Sequence, residues 1–184
     1  MNILIQNIYD FNQSQIENYK RNNTLQIKLG RIISENIFSL KLKNTLEFIK
    51  KFRSYKLSYS QGKIYKYKDY HFKSFNTKRS EIYKSELLEK TLIPYKNYDI
   101  LIQNNLVKNL EIMPSKMEYN EEYEYDEICV YIDKNIILNF ETYNDIFTIK
   151  IDIELEKDLP YTYQDVIKDN LEKIFNLLEE IECE

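Results

Sequence analysis

Residues 146–156, Ile-Phe-Thr-Ile-Lys-Ile-Asp-Ile-Glu-Leu-Glu, alternate along most of their length. Ile149, Ile151, Ile153 and Leu155 interleave with Lys150, Asp152, Glu154 and Glu156. Period-two alternation predicts a strand with one apolar face and one charged face. Side chains two apart on a strand lie about 6.5–7 Å from each other, so Asp152, Glu154 and Glu156 form a row of carboxylates that repel unless something offsets them. Water and counterions do so on an open surface, and a divalent metal does so inside a barrel. The local pattern leaves both open.

Working outward, 127–132 and 135–142 also read as strands, with tight connections at Asp133-Lys134 and Asn144-Asp145. Links this short imply an antiparallel meander. An acidic loop from Glu118 to Asp126 precedes it. After it, Pro160 stops the last strand and Thr162 with Asp165 resembles a capping box. Ile167, Leu171, Ile174, Leu178 and Ile181 then follow the spacing of an amphipathic C-terminal helix.

Toward the N-terminus, residues 10–20 predict a short helix, and Thr24 to Leu29 a strand ending at Gly30. Residues 44–53 predict a helix with Leu46, Phe48, Ile49 and Phe52 on its buried side. From Tyr55 to Phe75 the chain is basic and tyrosine-rich, read as two strands turning near Gln61-Gly62. Residues 80–92 fit helix or strand. Residues 97–103 and 106–112 read as strands around Asn104-Asn105, closed by Pro114. The outline is α+β: mainly antiparallel strands with flanking helices.

The chain has 184 residues, enough for a real core, and reads as a single domain over 1–184. Two glycines and three prolines argue against a glycine-rich phosphate loop or a low-complexity linker. Cys129 and Cys183 are too few and too far apart for a metal cluster or disulfide framework. No signal peptide or membrane-spanning run is evident, so the expectation is a soluble, intracellular, cytoplasmic protein without a membrane partner. Charge is segregated. Residues 1–100 carry 19 Lys/Arg against 9 Asp/Glu, and residues 101–184 carry 7 against 21, giving +10 and −14 for the net of −4. This fits either a polyanion-binding surface beside an acidic one, or basic strands lying against acidic strands.

Walker, His-Glu-x-x-His, Cys-x-x-Cys and Gly-x-Ser-x-Gly signatures are all missing. His71, the one histidine, reads as a surface residue rather than a catalyst. What remains is carboxylates facing cations. Hydrolysis of a terminal phosphate needs a metal on acidic side chains, cations on the phosphate oxygens and an oriented water. Asp152, Glu154 and Glu156 offer hard oxygens suited to Mg²⁺ or Mn²⁺, while Lys28, Lys150 and Arg79 can counter phosphate charge.

On these residues the chain resembles the tunnel-type, metal-dependent RNA 5′-triphosphatases of yeasts, protozoa and large DNA viruses. That family carries Glu-x-Glu-x-Arg-Leu-Gly on an early strand and Glu-x-Glu-x-Glu on a late one, both lining an antiparallel β tunnel. Here Thr24-Leu25-Gln26-Ile27-Lys28-Leu29-Gly30 occupies the first position, followed by Arg31-Ile32, Phe38 and the 44–53 helix; Ile149 to Glu156 occupies the second. The resemblance covers the outer thirds of the chain. It implies a sheet closing into a tunnel, metal ligation by Asp152 and Glu154, and catalytic roles for Glu154 and Glu156. It also implies phosphate binding by Lys28, Arg79 and Lys150, with Mg or Mn as cofactor. The implied partners are triphosphate-ended RNA or nucleotides and other capping-enzyme subunits.

Departures from the pattern are specific. Thr24 and Gln26 stand where the early glutamates belong, and Lys150 replaces a late one unless the register shifts by two. Two further readings therefore stand beside the enzyme. One is a tunnel that only binds the terminal phosphate. The other is a non-enzymatic viral, phage or bacterial accessory protein whose acidic C-terminal half docks on a partner.

Overall fold

A computed structural model describes residues 3, 6–8, 10–11, 23–34, 37–39, 46, 49–67, 70–76, 80–95, 98–109, 121–143, 146–155 and 162–178. Nine strands and one long helix account for most of them. The strands are β1 (Asn23–Ser34), β2 (Ile37–Ser39), β3 (Lys56–Tyr67), β4 (Tyr70–Phe75) and β5 (Ser80–Tyr95), then β6 (Tyr98–Asn109), β7 (Glu121–Asp133), β8 (Ile136–Tyr143) and β9 (Ile146–Leu155). The helix α1 spans Thr162–Leu178.

The sheet order is β2-β1-β6-β5-β4-β3-β7-β8-β9, and β1 additionally pairs with β9. Because β1 bonds both β6 and β9, eight strands run in a ring, with β2 attached beside β1. Every pairing is antiparallel. A ring of this kind leaves few unpaired edges.

Most buried apolar side chains face outward from the ring, while Leu101 of β6, opposite Lys28, and Phe75 of β4, against Tyr125, share the inner face. Leu25, Ile27 and Leu29 of β1, Ile100 and Ile102 of β6, Ile136, Leu138 and Phe140 of β8, and Ile149, Ile151 and Ile153 of β9 are all buried. They form one cluster with Ile167, Leu171, Ile174 and Phe175 of α1 and with Ile8 and Phe52. The helix periodicity therefore does what its spacing predicts, laying an apolar stripe on the ring's apolar face. Leu178 and Ile181 carry no described side chain.

Several sequence-based expectations are corrected. The turn near Gln61-Gly62 is absent, because both residues lie inside β3. Glycine is needed there for close approach: a Cβ at Gly62 would meet the Ser74 carbonyl oxygen at 2.0 Å. Gly30 does not end β1 but carries it through, at a φ of 152° that other residues rarely adopt. Asn104 and Asn105 are buried in a continuous β6 rather than forming a turn. Asn105 finds a partner in the strand: its Nδ2 donates to Gln26 Oε1 at 3.0 Å.

Residues 80–92 are strand. The acidic run is not a loop from Glu121 onward, since 121–126 open β7. The reason is the facing strand. On β3, Lys63 pairs with Glu122 and, at 3.6 Å, with Glu124, while the Tyr59 hydroxyl donates to Asp126 at 2.8 Å. Part of the charge segregation is thus basic strand against acidic strand.

Helix is observed at residues 10–11, 46 and 49–51; 12–20 and Phe48 lie outside the described residues. Phe52 is buried as expected, whereas Leu46 is exposed. His71 is half-buried on β4 rather than a free surface residue.

Candidate functional site: a polar interior lined by lysines

Strand alternation puts Lys150 and Asp152 on the opposite face of β9 from Ile149, Ile151 and Ile153. The register then decides their neighbours. On β1, Lys28 stands opposite Lys150, Gln26 opposite Asp152 and Thr24 opposite Glu154. On β8, Asn139 stands opposite Lys150 and Ile137 opposite Asp152. The structure therefore brings together four of the sequence-predicted residues, Lys28, Lys150, Asp152 and Glu154, along one strand pair. Glu154 is exposed at the end of this row. Arg79 and Glu156 lie outside the described residues.

Long-range contacts show that this face is the concave one. Lys73 of β4 donates to the Tyr125 hydroxyl of β7 at 2.9 Å, and its Nζ lies 3.9 Å from Glu141 of β8. In the ring, β3 and β7 separate β4 from β8. A contact that skips two strands is made across the inside of the curve. The Tyr125 hydroxyl donates onward to Glu141 Oε1 at 3.1 Å, and the Lys73 ammonium sits 4.5 Å from the Tyr125 ring centroid.

Glu141 is the hub. Lys150 Nζ lies 2.6 Å from its Oε1 and 3.2 Å from Asp152 Oδ2, and Asn139 Nδ2 also donates to Asp152. The side chains of Lys73, Lys150, Glu141 and Asp152 are each no more than 15% exposed, so these are largely desolvated ion pairs. Breaking such pairs costs far more than breaking surface ones. Burial pushes the Glu141 carboxyl up, but Lys150 and Lys73, with hydrogen bonds from Lys150 and Tyr125, more than offset it and hold it below the usual carboxylate range.

Lys28 is in the reverse situation. Burial lowers its pKa, the facing Lys150 lowers it further, and Glu141 and Asp152 oppose both. Burial and then Glu127 push the thiol of Cys129 on β7 up to about 12, which disfavours its thiolate.

Glu141, Lys73, Tyr125 and Asn139 were missed from the sequence. For Asn139 and Glu141 a signal existed. They alternate with Leu138 and Phe140, and the hairpin to 146–156 sets Asn139 against Lys150. For Lys73 and Tyr125 no local signal exists, since their contact depends on ring curvature.

These residues do not fit a resident Mg²⁺ or Mn²⁺. Among the described residues, no group of three or more His, Cys, Asp or Glu is placed to hold a metal. Asp152 Oδ1 and Asn139 Oδ1 are buried oxygens without a protein partner, which is the one feature in favour. Against it, the other Asp152 oxygen already faces an ammonium, and β1 offers Thr24 and Gln26 where a second pair of carboxylates would be needed. At about 4 Å and an effective dielectric of 20, an ammonium opposes a metal by roughly 4 kcal/mol for each unit of metal charge.

The ring, its antiparallel connectivity and its polar interior define the triphosphate tunnel fold. The chain superposes on the RNA triphosphatase Pct1 of S. pombe, solved in complex with the Spt5 CTD, with a TM-score of 0.70 at 10% identity over 95% of this chain and 88% of that one. It also matches the mimivirus capping enzyme triphosphatase, with a TM-score of 0.62 at 13% identity over 95% and 98% of the two chains. The PH1819 protein of Pyrococcus horikoshii matches less closely, with a TM-score of 0.51 at 11% identity over 87% and 92%. No protein-family model and no curated protein sequence matches the chain. At this identity the likeness shows the fold. Among the described residues no helix is long and apolar enough to cross a membrane.

Proposed function

We propose that this protein is an RNA 5′-triphosphatase-like binder of terminal phosphates, taking triphosphate-ended RNA or nucleoside triphosphates into its tunnel. One observation carries the reading. Three strands bring a lysine to one patch of the concave face: Lys150 contacts both Glu141 and Asp152, Lys73 lies 3.9 Å from Glu141, and Lys28 stands opposite Lys150. Lys28 and Lys150 face each other directly. Opposed like charges are unfavourable, and a polyanion between them relieves the repulsion. Lys28 and Lys150 are the phosphate-binding residues in this reading. Glu141 and Tyr125 position Lys150 and Lys73.

Binding without turnover is the form the site favours, because Asp152 and Glu154 lack the facing carboxylates that metal-assisted hydrolysis requires. The proposal takes residues 1–184 as one domain working inside the cell in mRNA capping, with other capping-enzyme subunits as partners. The competing reading, an accessory protein docking through its acidic half, is weakened by the contacts of β7. Glu122 and Glu124 already share the Lys63 ammonium, and Asp126 accepts from the Tyr59 hydroxyl, on β3.

The test is binding of a short RNA carrying a 5′-triphosphate, against the same RNA with a 5′-hydroxyl, alongside release of γ-phosphate. Saturable binding that prefers the triphosphate end, with no phosphate release, is the expected result. Equal binding of both ends, or none, overturns the proposal. Release that Asp152→Ala and Glu154→Ala abolish would restore the enzyme reading.

A further inference from the structure

Resting on that reading, we infer that the tunnel takes its polyphosphate end without a divalent cation, with the Lys150 ammonium as the built-in positive charge between the strands. The carboxylates and the cation at this place have exchanged roles. In a metal-dependent site, acidic side chains hold a metal and the metal holds phosphate. Here the acidic side chains hold an amine. Glu141 and Asp152 take Lys150 at 2.6 and 3.2 Å, and both are too desolvated to be satisfied by solvent alone.

The rest of the lining agrees. Lys28 faces Lys150 from β1, and Lys73 reaches Glu141 from the far wall, anchored by the Tyr125 hydroxyl. Charges facing this group from the other strands include Glu127, which stands opposite Glu141 on β7. The polar neighbours Gln26 and Asn105 are tied to each other. An ammonium is also a different recogniser from a metal. It has three hydrogen-bond donors, one already given to Glu141, and makes no demand for octahedral geometry, so it suits the uncomplexed phosphate chain. Chelation by Mg²⁺ withdraws negative charge from that chain and competes with Lys150 for the same oxygens.

The decisive experiment is calorimetric titration of the full chain with inorganic tripolyphosphate and with triphosphate-ended RNA, in EDTA and in millimolar Mg²⁺ or Mn²⁺. Binding in EDTA that equals or exceeds binding with metal is expected. Lys150→Gln, shown to be folded by circular dichroism, should weaken it about tenfold or more. Binding that appears only when metal is present overturns this inference and leaves the proposed function intact. No binding in either condition overturns both. The comparison of EDTA with metal uses the wild-type chain, so it decides the matter even if Lys150→Gln does not fold.

Discussion

The two faces of the same ring are built on opposite chemistry, and the contrast separates the packed core from the proposed phosphate site. Outside, Ile149, Ile151 and Ile153 of β9 join β1, β6, β8 and α1 in a continuous apolar layer. Inside, one residue along from each of those isoleucines, Lys150 and Asp152 sit in a network of amines and carboxylates with Glu141 and Lys73. Eight-stranded barrels ordinarily fill their interior with side chains or hold one small ligand there. Here the packed core lies between sheet and helix, which frees the ring's interior to hold charge.

The sharpest way to break this contrast is to damage the outer layer. Phe175 of α1 is fully buried against the strands, so Phe175→Ala should lower unfolding free energy by about 3–5 kcal/mol in urea titration. A loss this large from a helix that touches no ligand would place stability in the outer layer.

Next in size is the inner hub. Glu141→Gln removes the charge that two lysines share while keeping an acceptor oxygen, and should cost about 1.5–3 kcal/mol at neutral pH. The same variant tests the pH dependence. The folded carboxyl lies below its ordinary value of 4.5, so its stabilisation is full above that value and is lost as pH falls through the folded one. Urea midpoints should therefore drop on acidification more steeply in wild type than in Glu141→Gln. Parallel curves would show that Glu141 is not held down by its lysines.

Lys28 carries the opposite sign. Its pKa is lowered from 10.5, so the folded chain binds its proton less well than the unfolded chain. The resulting penalty is full below the folded pKa and is relieved as pH rises from there toward the ordinary value. Lys28→Met should stabilise the protein by roughly 0.5–1 kcal/mol and weaken tripolyphosphate binding, the trade expected where a site is kept under strain for function. A variant that loses both stability and binding would place Lys28 in the structural class instead.

The smallest effect belongs to the outer rim. Lys63, though paired with Glu122 and Glu124, is exposed to solvent, and Lys63→Ala should leave the urea midpoint unchanged.

Much of the fold was legible because its signals are local. The alternation seen over 146–155, the tight link at Asp133-Lys134 and the buried stripe of Ile167, Leu171 and Ile174 each depend on neighbours in sequence, and all three appear as expected. Asn144-Asp145, Glu156 and Ile181 lie outside the described residues. The errors share one cause. Gln61-Gly62, Asn104-Asn105 and the acidic run from Glu121 carry turn or loop composition, yet all three lie in strands. Each is held by a partner far along the chain: Tyr125 against Gly62, Gln26 against Asn105, Lys63 against Glu122. Composition cannot register a partner tens of residues away.

The site divides in the same way. That Lys150 and Asp152 share a face follows from the two-residue period of a strand, whatever surrounds it. Whether that face met water, a metal or other side chains was open until β1 bonded both β9 and β6. Ring closure turned an ordinary charged face into a secluded one, set Lys28 opposite Lys150 rather than a pair of carboxylates, and brought Lys73 across to Glu141. Alternation is a property of one strand, and enclosure is a property of eight.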